Sequence, residues 1–220
     1  AVDNLDSDPA MEFAVGTGSN RVFVYSWNGA TYTQEWQSAA FGQPVYALAT
    51  GDVDGDAINE IVFADVQGML YVYAWDGATY SQEWQSPAPI AQNIYTLTIS
   101  NVDADPNLEI IFGTGWMGLY IYTYNGAGYV QEWSSGPLGN DLYGIDAGDV
   151  DGDLVNEIVF GNTNGDIRVY GFNGATFVQE WTTLVEPQAW GIKVTDIDFD
   201  NTLEFICGTG AGFLHIFGYD

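Results

Sequence analysis

Asp52-Val53-Asp54-Gly55-Asp56-Ala57-Ile58-Asn59-Glu60-Ile61-Val62-Phe63 carries alternate carboxylates, a returning glutamate and then an apolar run. The same box, [Asp/Asn]-x-Asp-x-Asp-x-x-x-Glu, stands at Asn4-Asp6-Asp8-Glu12, Asn101-Asp103-Asp105-Glu109, Asp149-Asp151-Asp153-Glu157 and Asp196-Asp198-Asp200-Glu204. The closing glutamates are spaced by 48, 49, 48 and 47 residues. A period of this size marks a repeat architecture.

Working outward from each box, the text repeats its punctuation. A glycine-bearing turn (Gly16-Thr17-Gly18, Gln67-Gly68, Gly113-Thr114-Gly115, Asn164-Gly165, Gly208-Thr209-Gly210) follows the apolar run. Next comes an alternating segment such as Leu70-Tyr71-Val72-Tyr73-Ala74-Trp75. Period-two patterns bounded by glycine turns read as antiparallel strands. Asn28-Gly29, Asp76-Gly77, Asn125-Gly126 and Asn173-Gly174 predict type I′ hairpins, with positive φ at both central residues. A third strand ends in Gln34-Glu35-Trp36, Gln82-Glu83-Trp84, Gln131-Glu132-Trp133 or Gln179-Glu180-Trp181. A fourth, such as Val45-Tyr46-Ala47-Leu48-Ala49, runs into the next box. Four antiparallel strands per repeat describe a propeller blade. The expected fold is therefore all-β, a single propeller domain over 1–220 with repeats near 1–42, 43–91, 92–140, 141–187 and 188–220. The histidine and Trp-Asp signatures of a WD40 propeller are missing. A β-sandwich would not explain the whole-repeat period.

Oxygen ligands at positions 1, 3 and 5 of a tight loop, with a carboxylate returning at position 9, suit a hard cation. Calcium takes six to eight oxygens in flexible geometry, whereas magnesium demands a near-ideal octahedron and keeps several waters. Position 7 (Ala10, Ile58, Asn107, Val155, Thr202) shares no side-chain chemistry, so its carbonyl is the expected ligand. Position 2 (Leu5, Val53, Val102, Val150, Ile197) is always aliphatic and should anchor the loop. About one Ca2+ per repeat, up to five, is expected. The boxes opening with Asn4 and Asn101 carry one charge fewer and should bind more weakly.

These loops are not EF-hands, in which the bidentate glutamate stands at position 12. The box spacing and the following Glu-Ile-Val-Phe type strand resemble the FG-GAP or VCBS repeat family. Asp52-Val53-Asp54-Gly55-Asp56 and Asp149-Val150-Asp151-Gly152-Asp153 match it best, and the resemblance covers the whole chain. It implies an integrin-like β-propeller with calcium between the first two strands of a blade. The family's usual glycine at position 6 is replaced by Pro9, Ala57, Pro106, Leu154 and Asn201.

The first box is reached within a few residues, and Tyr219-Asp220 falls where other repeats make their hairpin turn. By repeat arithmetic about 20 residues would complete a fifth blade. Either a ring closes with incomplete terminal blades, or the chain forms an arc of a larger propeller and its edges invite self-association.

A chain of 220 residues can bury about 70% of its unfolded surface, enough for a core without staples. Of its 30 acidic residues 18 lie in the boxes, and five Ca2+ would lower the net charge from -27 to -17. With only Arg21, Arg168 and Lys193 as permanent cations, nucleic acid is an implausible partner. Cys207 aligns with Val15, Phe63, Phe112 and Phe160 as a small buried hydrophobe. No transmembrane run is visible, and calcium boxes of this affinity class suit an extracellular or cell-surface, secreted setting.

His215 has no cysteine, serine or second histidine arranged with it and reads as structural. Catalytic residues are not evident. Trp36, Trp84, Trp133 and Trp181 recur once per repeat and should pack between blades, as should Trp27 and Trp75. Trp190 aligns with Tyr46, Tyr95 and Tyr143 near the central channel. Trp116 differs, because in the Gly113-Thr114-Gly115-Trp116-Met117-Gly118 turn other repeats carry small or polar residues; stacking on a sugar or partner would use it. The expected function is a calcium-binding adhesion or lectin-like module for glycan or protein. The alternatives are a scaffold segment of a polysaccharide-active enzyme and a structural repeat of a cell-surface or filament protein.

Overall fold

The computed structural model describes residues 1–6, 8–91, 93–103, 105–116 and 118–218. Met117 of the Trp116 turn, and the Tyr219-Asp220 end, lie outside the described residues.

The strands form five antiparallel meanders. The first sheet contains β1 (Val2–Asp3), β2 (Glu12–Gly16), β3 (Val22–Trp27) and β4 (Tyr32–Gln37). The second contains β5 (Val45–Gly51), β6 (Glu60–Asp65), β7 (Leu70–Trp75) and β8 (Tyr80–Gln85). The third contains β9 (Ile94–Ser100), β10 (Glu109–Thr114), β11 (Leu119–Tyr124) and β12 (Tyr129–Ser134). The fourth contains β13 (Leu142–Gly148), β14 (Glu157–Asn162), β15 (Asp166–Phe172) and β16 (Phe177–Leu184). The last has three strands, β17 (Ala189–Thr195), β18 (Glu204–Thr209) and β19 (Leu214–Phe217). First strands of successive sheets lie side by side, β1 against β5, then β9, β13 and β17. Blades fanned about a shared inner row make this a β-propeller.

Alternation within strands places apolar side chains on both blade faces, so the cores lie between blades. Ala14, Val22 and Val24 of the first blade close on Val45, Ile61, Phe63 and Tyr80 of the second. The same joint recurs three more times along the chain. At Gly16, Gly113 and Gly161 the joint is tight enough that an added Cβ would stand 2.6 Å from Val45, Leu142 and Ala189 respectively. The tryptophans of the outer strands also bridge blades: Trp36 reaches Tyr73 and Tyr80, Trp84 reaches Tyr129, Trp133 reaches Tyr170 and Phe177, and Trp181 reaches Phe205 and Phe217. Trp27 is 47% exposed and departs from expectation, whereas Trp75 packs against the core between the first and second blades as expected. Each pairs edge-on with a tyrosine of its own hairpin, Tyr32 or Tyr80.

The hairpin turns also differ from the expected type I′. The loops span four residues, 28–31 in the first blade, and only the glycines, Gly29, Gly77, Gly126 and Gly174, take positive φ. The preceding Asx explains this. Asn28 Oδ1 accepts from the backbone N–H of Ala30 and Thr31, and Asp76 and Asn173 repeat the pattern. That side-chain turn fixes the first loop residue at ordinary φ.

The end blades lack the neighbour every interior blade has. Leu214 and Ile216 on β19 are 67% and 51% exposed, whereas their counterparts Leu70 and Val72 are fully buried. Val15 of β2 is 39% exposed where Phe63, its counterpart on β6, is fully buried. The same absence explains Ile197, the one position-2 anchor left exposed; Leu5, Val53, Val102 and Val150 are buried as expected.

Candidate metal centres

Each box occupies the loop between the first and second strand of its blade, so all five lie at one end of the propeller. Asp52, Asp54 and Glu60 bring carboxylate oxygens within 4.8 Å of one another, as do Asp149, Asp151 and Glu157, and Asp196, Asp198 and Glu204. In the third blade the trio is Asp103, Asp105 and Glu109. In the first it is Asp6, Glu12 and Glu35, the last from the outer strand β4.

The returning glutamate is the fixed element. Its Oε2 accepts the N–H of position 2 in every box: Leu5, Val53, Val102, Val150 and Ile197. The other oxygen of Glu12, Glu60 and Glu109 is buried with no hydrogen-bond partner, although each residue is fully buried. Leaving a buried polar atom unpaired costs about 1–3 kcal/mol, more if charged. Burial, followed by the box aspartates, pushes Glu60, Glu109 and Glu157 up to about 8. Among the described residues no ion pair involves a box carboxylate, since Arg168 and Lys193 pair with Asp166 and Asp146. These centres are short of positive charge.

Two loop designs occur. Position 6 in the second, fourth and fifth boxes takes left-handed φ, +73° at Ala57, +76° at Leu154 and +72° at Asn201, which is why glycine suits it. There the position-1 carboxylate accepts the position-6 N–H, as Asp52 Oδ2 does from Ala57 at 3.0 Å; Asp149 and Asp196 do likewise with Leu154 and Asn201. Pro9 and Pro106 have no N–H to give. In their boxes the first residue is asparagine, and it becomes the donor: Asn4 Nδ2 donates to Asp8 O and Asn101 Nδ2 to Asp105 O. Asn4 and Asn101 thus brace their loops through the amide nitrogen. Asp8, Asp56, Asp105, Asp153 and Asp200 accept the position-7 N–H of Ala10, Ile58, Asn107, Val155 and Thr202.

Sequence reading passed over the glutamate of the Gln-Glu-Trp strands. In register, Tyr73 faces Gln82 and Val72 faces Trp84, so Glu83 is the extra residue of a β-bulge. Glu35, Glu132 and Glu180 are skipped in the same way. Burial and the charges of Asp6 and Glu12 push Glu35 up to about 7; burial and Asp103 do the same for Glu132. Glu83 and Glu180 are raised by burial and by their boxes' aspartates, Asp54 with Asp56 and Asp151 with Asp153. The available signal was that this glutamate, like its tryptophan, recurs once per repeat.

The other singled-out residues stand apart. Trp116 is 68% exposed with φ +63°, in the β10–β11 turn at the opposite end from the boxes. At that end Tyr46, Tyr95, Tyr143 and Trp190 each occupy a bulge of the inner strand. Tyr95 stacks on Tyr143 at 4.7 Å between ring centroids, and Tyr143 on Trp190 at 4.8 Å. His215 Nε2 lies 2.6 Å from Glu186 and its ring stacks on Phe217. Cys207 is buried.

No family model and no curated protein matches the chain. Solved structures do: the crystal structure of Saccharomyces cerevisiae Sqt1 aligns with 98% of this chain and 57% of its own, at 16% identity and a TM-score of 0.72. The chain thus spans a little over half the length of that structure. The computationally designed Ika4 protein aligns over 82% of this chain and 94% of its own, at 13% identity and a TM-score of 0.58. At these identities the likeness is one of fold.

Proposed function

We propose that this chain is a calcium-stabilised β-propeller working as an extracellular or cell-surface binding module for a glycan or protein ligand, in the manner of the FG-GAP or VCBS repeats it resembles. A propeller is a rigid scaffold that presents loops at two ends, which suits a binding or scaffold role. The observation that carries the calcium assignment is the buried glutamate whose second oxygen has no hydrogen-bond partner within a cluster of carboxylates, at Glu12, Glu60 and Glu109. A hard divalent cation satisfies that oxygen and offsets the charge, and the all-oxygen donor set favours calcium over zinc or copper. For ligand binding, the opposite end supplies exposed Trp116 and the rim of stacked aromatics. Flat apolar faces with polar edges are suited to sugar rings or to aromatic anchors of a protein.

Calorimetric titration of the chelated protein with Ca2+ tests the assignment. The expected result is at least two equivalents bound and a higher melting temperature. An ion at 100 times its dissociation constant adds about 2.7 kcal/mol per site. Fewer than two equivalents, or a melting curve indifferent to chelation, would sink it.

A further inference from the structure

We infer that the box cation is held by three elements: the box, the bulge glutamate of the same blade's outer strand, and, in the first two blades, a tyrosine of the following blade. This deepens the calcium reading and rests on it. A carboxylate oxygen of Glu35 already lies within 4.8 Å of oxygens from Asp6 and Glu12. Glu83, Glu132 and Glu180 occupy the same bulge. A bulge re-aims one side chain without ending the strand pairing, and here it does so in each four-stranded blade. The strand beneath keeps small residues in that row, Ser26, Ala74, Thr123 and Gly171. At Gly171 a Cβ would come 2.3 Å from the Glu180 carboxylate.

The second observation comes from the neighbouring blade. Tyr80 and Tyr129 open β8 and β12, are 3% and 6% exposed, and have hydroxyls buried with no partner. Tyr80 packs on Trp36 of the first blade's outer strand and feels the charges of Glu35, Asp6 and Glu12; Tyr129 packs on Trp84 of the second and feels those of Glu60, Asp54 and Glu83. In each centre a buried phenol and a buried carboxylate oxygen both lack a hydrogen-bond partner. A cation with a bound water joins them: the carboxylates ligate the ion, and the phenol oxygen meets the ion or its water. Phe177 takes this position opposite the third box, so that centre has the outer-strand glutamate but no phenol. The result is a clamp. Ion binding would tie the loop to the blade's outer edge and, for the first two boxes, one blade to the next.

The test is calcium and terbium(III) titration of the whole chain, wild type against the quadruple variant Glu35→Gln, Glu83→Gln, Glu132→Gln and Glu180→Gln. All four side chains lie on exposed outer strands, and the exchange keeps their shape. The variant should melt at or above the wild-type temperature in chelator, because four carboxylates beside the boxes lose their charge, but need at least tenfold more Ca2+ for half-saturation, since loss of a group supporting a metal site typically costs 10–100-fold. Tyr129→Phe should weaken one centre and reduce tyrosine-sensitised terbium emission, while Phe177→Tyr should strengthen the third-blade centre. If the quadruple variant does not fold, Glu83→Gln and Tyr129→Phe singly carry the same test. Variants that titrate like wild type overturn the clamp and leave the calcium reading standing. A wild-type chain that binds neither ion overturns the calcium reading itself.

Discussion

At the residue scale, the buried glutamates set the electrostatic character of the molecule. Glu60, Glu109 and Glu157 are held near 8 in the metal-free fold, above the usual carboxylate range, because burial and adjacent aspartates disfavour their charge. A carboxyl raised on folding stabilises the protonated fold, and that stability is lost as pH rises from the unfolded value near 4.5 through about 8. In chelator, therefore, the melting temperature should fall between pH 5 and pH 8. Calcium should reverse that slope, since it binds the ionised form. A melting series at several pH values, with and without Ca2+, checks both signs. Trp116 is the other residue with a consequence. Trp116→Ala should abolish binding on a glycan array and leave the melting curve and calcium stoichiometry unchanged, because the side chain is exposed in a turn. A blank array with calcium present would remove the lectin-like reading.

At the element scale, the box loops solve one problem in two ways. Left-handed Leu154 is 91% exposed and strained by its own Cβ. Leu154→Gly should therefore stabilise the protein by roughly 1 kcal/mol in thermal unfolding. Leu154→Pro should destabilise it, since φ there is positive and Asp149 would lose its donor. In the third box Asn101→Asp should destabilise the metal-free loop, because Pro106 offers no N–H and the Asp105 carbonyl loses the Asn101 amide. This predicts a lower melting temperature in chelator that calcium partly restores. The pairing of asparagine with proline was visible in the sequence as two separate departures from the motif. Its reason required the hydrogen bonds.

At the scale of the whole molecule, the two end blades expose opposite faces of one joint: Val15 on one side, Leu214 and Ile216 on the other. Such faces are heterologous, so contact between copies propagates from end to end unless a ring closes. Light scattering on the 220-residue chain should show concentration-dependent association, and Ile216→Lys should suppress it. A strictly monomeric, highly stable particle would reject this. The 47- to 49-residue period, the four-stranded blade and the five acidic boxes all follow from the sequence itself, because repetition turns weak local signals into a consistent frame. Buried Cys207 and the interblade tryptophans of the outer strands were legible for the same reason: each could be aligned with its counterparts. The bulges were not, since an extra residue shows only when one strand is set against its partner. For that reason Glu83 reads as an ordinary exposed strand residue in the sequence and as a neighbour of Asp54 in the fold. Nor could the sequence bring Tyr129 beside Glu60, because that contact crosses between blades and depends on how each sheet is laid against the next.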